Sequence, residues 1–173
     1  MIGEKASPAF LSICEGVIGM HDESKFDYQQ EIDAIRKRFD FDLVSIALVQ
    51  PAADQFVLTW QYASGNLNDR YKRIILHSGK GIAGMVFKTG KSVVIKSIRS
   101  EIDPKDLFKY PIIVAEQLQS VAAVPLWKNS RVAGVLSVAF REENQLTEER
   151  IQAFQQSIEP KFGPFFTKEM VEQ

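Results

Sequence analysis

The sequence predicts an α+β fold, a central antiparallel sheet with helices packed on it, from three observations. Two pairs of β-rich runs, "LVSIALVQ" with "QFVLTWQYA" and "SVAAVPLWK" with "RVAGVLSVAF", are each joined by only a few residues, which suits hairpins. Amphipathic helical segments precede the first pair and follow the second. Regular strand–helix alternation, the mark of a parallel sheet, is missing.

Taken in order, residues 8–20 place Phe10, Leu11, Cys14, Val17 and Ile18 three and four apart, an amphipathic helix with Ser7 as N-cap and Pro8 at its first position. In "FDYQQEIDAIRKRFD", Tyr28, Ile32, Ile35 and Phe39 share a face, and Arg36, Lys37 and Arg38 sit near the C-terminal end, where cations suit the helix dipole. The first hairpin follows, and Trp60 alternates along its second strand with Leu58 and Tyr62. A third strand, "RIILH", ends at a glycine turn, and a short helix, "IAGMVFKTG", is stopped by Gly90 before the strand "SVVI". Residues 96–119, with Pro104 and Pro111, read as a long functional loop holding a helical turn or two. The second hairpin turns at Asn129 and Ser130, and a final helix starts at Thr147 and runs to Ile158, before Pro160.

The chain has 173 residues, 45% of them hydrophobic and 25% charged, enough for one substantial core and too short for two ordinary ones. One domain over residues 1–173 is therefore expected, its core at about 26–158 and the helix over 8–20 an addition. With 21 basic and 22 acidic residues the net charge is −1, so nothing draws the chain broadly to nucleic acid or anionic membranes. Any anion must be bound locally. Cys14 is the single cysteine, which excludes an internal disulfide or a multi-cysteine metal site and fits a reducing compartment. No run approaches the roughly 20 apolar residues of a membrane span, so a cytoplasmic protein is expected.

"HSGKGIAGMVFKTGKSVVI" contains Gly79, Gly81 and Gly84 in the order G-x-G-x-x-G. A dinucleotide site would need a longer helix after that turn and an acidic residue at the end of the next strand. The helix offers barely two turns, and the strand ends in Ile95 and Lys96. Two readings survive: a tight strand-to-helix turn, or an anion seat at amides that have no intrahelical partner. Catalysis is poorly supplied, because His77 has no evident acidic or nucleophilic partner in the sequence.

"SGKGIAGMVFKTGKSVVI", "QSVAAVPLWKNSRVAGVLSVAF" with Gly134, Val135 and Leu136, and "QLTEERIQAFQQ" together resemble the GAF domain, a sensory module that holds small molecules between its sheet and the adjoining loops and short helices. The likeness covers about residues 26–158. The free methionine sulfoxide reductase type uses several cysteines, the bilin-attaching type a cysteine near the pocket, and the cyclic-nucleotide type an N-K-x-x-x-F-x-x-x-D-E pattern; none of these is met. Within the family the chain is similar to bacterial nitrate receptors, cytoplasmic proteins that modulate an oxygen-sensing histidine kinase of a two-component system. Their pocket pattern corresponds here to Trp60, Leu76, Ile82-Ala83 and Tyr110-Pro111-Ile112.

What the resemblance implies is a nitrate-binding sensor without cofactor, metal or catalytic residues, with a histidine kinase as partner; the added N-terminal helix leaves room for a homodimer. Nitrate is planar, singly charged and weakly hydrated, so an apolar pocket with a few well-aimed donors can replace its water without a lysine or arginine. Amides of Ile82, Ala83 and Ile112 and the Trp60 indole N–H would donate, while Leu76, Tyr110 and Pro111 shape the cavity. Lys80 and Lys91, flanking the turn, read as solvated surface residues. Two other readings stay open: a GAF sensor of another small metabolite, and a degenerate redox GAF enzyme.

Overall fold

A computed structural model describes residues 26–53 and 55–168. The helix expected over 8–20, with Cys14, lies outside the described residues. Helix α1 (Tyr28–Phe39) begins at Asp27, whose carboxylate accepts from the Gln30 amide, and ends at Asp40 in the left-handed region. Strands β1 (Leu43–Ala52) and β2 (Gln55–Ser64) pair antiparallel. The third strand is shorter than the sequence suggested: β3 is Ile75–Leu76 alone, because Arg70–Arg73 wind into a 3-10 turn that buries Tyr71.

Helix α2 (Gly81–Thr89) is closed by Gly90 in the left-handed conformation, and β4 (Val93–Ile95) follows. The connection expected to be mostly irregular holds three helical pieces: α3 (Ile98–Glu101), a 3-10 turn (Pro104–Lys109) and α4 (Pro111–Glu116). Ser97 and Asp103 cap the first two with their side chains, a signal legible in sequence as a polar N-cap before each turn. Strands β5 (Ser120–Lys128) and β6 (Arg131–Phe140) form the second hairpin. Both of its turn residues, Asn129 at φ 54° and Ser130 at φ 63°, are left-handed, as a two-residue turn matching the strand twist requires. Helix α5 (Glu148–Ile158) starts at Thr147, whose hydroxyl accepts from the Arg150 amide at 3.2 Å. The short strands β7 (Lys161–Phe162) and β8 (Phe165–Phe166) after Pro160 were not expected.

The strands join in one antiparallel sheet of order β3-β2-β1-β6-β5-β8-β7, with β4 also on β5. Its two faces serve different layers. One meets α1 and α5 through Ile32, Ile35, Ile46, Leu136, Ile151 and Phe154, joined by edge-to-face rings such as Phe41 on Phe154 at 5.8 Å. The other carries α2 and the 98–118 connection.

A bulge in β2 changes one expectation. Ile46 opposes Tyr62 while its neighbour Ala47 opposes Trp60, so Gln61 is an extra residue without a partner in β1. Strict alternation would keep Leu58, Trp60 and Tyr62 together. Instead Leu58 and Trp60 join the α2 face, and Tyr62 turns to the other, stacked on Tyr28 at 5.2 Å.

Candidate functional site

The glycine turn is explained by backbone geometry. Gly81 has φ +66°, and a Cβ on Gly84 would collide with the carbonyl oxygen of His77. Beyond the turn, β4 runs antiparallel to β5, so the parallel βαβ unit that a dinucleotide site requires is not formed.

The turn delivers the start of α2 into the sheet's second face. Lys80, its N-cap, contributes no side-chain hydrogen bond, and the Ile82 and Ala83 amides have no acceptor among the described residues. Both residues are buried, at 1% and 0% exposure. Helix α4 repeats the arrangement. Tyr110 caps it without its side chain, Pro111 has no N–H to place, and the amides of Ile113 and Val114 donate to the Tyr110 carbonyl. The Ile112 amide is left without an acceptor among the described residues, on a residue only 3% exposed.

Trp60 supplies a third kind of donor. Its side chain is 2% exposed, and the indole Nε1 is buried with no hydrogen-bond partner among the described residues. An unmet buried N–H costs on the order of 1–3 kcal/mol, so such groups are rare outside sites that receive something. Trp60, Leu76, Ile82, Ala83 and Ile112 belong to one buried cluster, with Tyr110 packed against it. Pro111 is half-buried at the first position of α4 and is not part of that cluster. Gly79, Lys80 and Gly81 from the turn and Phe108, Lys109 and Tyr110 from the opposite segment line one cleft of about 530 Å³. The two helix starts therefore border a common opening. Lys80 and Lys91 are exposed.

Sequence reasoning passed over the floor beneath this cluster. Alternation along β1 and β6 puts Ser45 with Leu43 and Ala47, and Ser137 with Val135 and Ala139, on the α2 face. Ser45 and Ser137 oppose each other across the strands, both are buried, and the Ser45 hydroxyl has no partner among the described residues. Their small polar side chains, the signal in the sequence, put two hydroxyls among the apolar residues of that face.

A second overlooked pair fixes α4. Glu116 at its C-terminal end is fully buried and ion-paired to Arg141, Nη2 to Oε1 at 2.7 Å. The Leu67 amide also donates to that oxygen at 2.8 Å, and Arg141 donates to the carbonyls of Glu116 at 2.9 Å and Gly65 at 3.1 Å. The guanidinium thus binds the end of α4 to the loop after β2 and to the end of β6. The site thus offers hydrogen-bond donors and helix-start dipoles set among the apolar residues packed around Trp60.

Comparison with known proteins adds context to this geometry. Residues 28–159 match the GAF domain. A hypothetical protein from S. aureus is 38% identical, covering 69% of this chain and 98% of that one, with a TM-score of 0.65. An NreA protein from Staphylococcus aureus, mutated in its nitrate binding site, is 36% identical, covering 78% and 96%, with a TM-score of 0.66. The type II free methionine-R-sulfoxide reductase from Thermoplasma acidophilum is 15% identical, covering 79% and 86%, with a TM-score of 0.57, a likeness of fold alone. No curated protein matches the chain.

Proposed function

The chain belongs to the GAF domain family, and on that premise we propose that it is a nitrate-binding regulatory module without catalytic activity, acting in the cytoplasm on a sensor histidine kinase. The observation that carries the ligand is the donor set: a buried indole N–H and the amides of Ile82, Ala83 and Ile112 at two helix starts, all in one apolar cluster and without an acceptor among the described residues. The 36% identity to NreA, described as having a nitrate binding site, supports the same ligand.

The binding residues in this reading are Trp60, Ile82, Ala83 and Ile112 as donors and Leu76, Tyr110 and Pro111 as walls. A planar anion with three acceptor oxygens takes such donors from several sides, and its weak hydration makes desolvation affordable without a counter-charge. Sulfate, doubly charged and strongly hydrated, would cost far more to desolvate than nitrate against these donors. The kinase partner follows from the family likeness. A ligand that holds the start of α4 changes the balance between arrangements of the 98–118 connection through its differential affinity for them.

Four non-hydrogen atoms at a ceiling near −1.5 kcal/mol each limit nitrate to about −6 kcal/mol, a dissociation constant no tighter than tens of micromolar. Calorimetric titration of nitrate-free protein to millimolar nitrate, with chloride and sulfate alongside, tests the reading. Saturable one-site heat for nitrate alone is expected. Absence of heat together with absence of thermal stabilisation would remove nitrate as the ligand. Cys14→Ser should leave the nitrate isotherm unchanged, whereas a cysteine-dependent mechanism would lose its effect.

A further inference from the structure

A second concavity, of about 860 Å³, lies where the tip of the β5–β6 hairpin meets the C-terminal end of α2 and the β1–β2 strands. Its walls include Val49, Phe56, Phe87 and Trp127, and its rim includes Lys88 and Arg131. We propose that this groove is the docking site for an acidic, apolar segment of a partner protein.

The apolar part of the match comes from Phe56, which is 54% exposed on β2, beside partly buried Phe87 and Val49. Large apolar side chains grouped in an open concavity leave a surface that association would remove from water. Trp127 sets its floor, 8% exposed. The anchor is Phe56, since it is exposed aromatic side chains buried on association that dominate interface energetics.

The sign of the partner's charge comes from the rim. Lys88 and Arg131 are exposed and pair with no acid among the described residues, and no described lining residue is acidic. In a chain of net charge −1, a local cationic rim around aromatic walls selects a segment that carries Asp or Glu beside Leu, Ile or Phe, and repels basic ones. Apolar walls with so few cations suit a peptide better than a nucleic acid backbone.

The backbone shapes the groove. A left-handed Asn129–Ser130 turn forms the hairpin tip, and a second bulge, at Ala133 between the Leu126–Gly134 and Trp127–Val132 pairs, changes the hairpin's twist beside it. A Cβ on Gly90 would lie 2.9 Å from the Trp127 ring, so the end of α2 is seated directly on the groove's floor. The helix that begins at the candidate anion site therefore ends at this surface, although docking itself does not depend on the nitrate reading.

Selection from a random displayed-peptide library on the full chain tests the proposal. Selected sequences should be enriched in acidic residues and large apolar ones, and a synthetic copy of one should bind Phe56→Ser and Arg131→Glu each at least tenfold more weakly. Both substitutions are at exposed positions, and unchanged thermal unfolding of the variants would confirm that the fold is kept. Selected peptides without acidic enrichment, or with equal affinity for wild type and variants, would overturn it. So would a dimer by sedimentation that either variant dissociates, since the groove would then be a self-interface. Peptide binding that persists in a protein with no nitrate heat would sink the nitrate reading and leave the groove standing.

Discussion

Trp60 shows how one atom can separate binding from stability. Its Nε1 is buried without an acceptor, so Trp60→Phe removes an unmet donor while keeping an aromatic ring in the cluster. Hydrogen bonds to charged groups contribute roughly 1.5–3 kcal/mol; nitrate affinity should fall tenfold or more, with a change in unfolding free energy within about 1 kcal/mol. Calorimetry and urea unfolding on the same preparations would read both. Ser45→Ala tests the floor of the site in the same way: a weakening of a few-fold is expected if the hydroxyl faces the anion, and unchanged affinity would place the anion away from the sheet. Trp60, Leu76 and the Ile82-Ala83 pair stand out in sequence only through the resemblance to the family's pocket pattern. The Ser45–Ser137 pair does not stand out, since those residues meet only through strand pairing across 92 positions of chain.

Among the elements, α4 depends on the buried ion pair at its end. Arg141→Ala would leave the fully buried Glu116 carboxylate with only the Leu67 amide on Oε1 and its other oxygen still unmet. Breaking one side of such a pair costs on the order of 3–5 kcal/mol, and replacing both partners by apolar residues costs far less. Urea unfolding should therefore show Arg141→Ala destabilised by about 3 kcal/mol, part of which Glu116→Leu in the same chain restores. Nitrate affinity should fall in both, because the Ile112 amide loses its fixed position. Helices α1 and α5 and the two hairpins were legible because each has its own periodicity, caps or turn residues. The short elements were not: β7, β8 and the 3-10 turn at Arg70–Arg73 span too few residues for a period. The bulge at Gln61 has no sequence signal, since it exists only relative to the register of β1.

At the scale of the whole molecule, the antiparallel sheet divides the interior into a phenylalanine-rich layer under α1 and α5 and a second apolar layer around Trp60. The second, with donors unmet among the described residues, gains most from a ligand in the proposed reading. Mass action then sets the size of the response: at a hundredfold excess over its dissociation constant, nitrate should add about 2.7 kcal/mol to the folded state. For a chain of this length that raises the unfolding temperature by roughly 5–10 °C. Thermal denaturation in millimolar nitrate, with equal chloride as reference, would show it, and Trp60→Phe should respond much less at the same concentration.

The unpaired Gln61 acts as a phase shift in the strand. On its N-terminal side, even-numbered residues Leu58 and Trp60 look into the ligand layer; past it, even-numbered Tyr62 belongs to the aromatic layer and odd-numbered Ala63 to the ligand layer. Deleting that one residue would restore strict alternation, with Trp60 still opposite Ala47 and Tyr62 still opposite Ile46. Pairing it into the ladder instead would force one half of the strand to exchange compartments, sending either Trp60 among the phenylalanines or Tyr62 to the α2 face, so the bulge itself sets which of two aromatic rings lines the candidate site and which serves the scaffold.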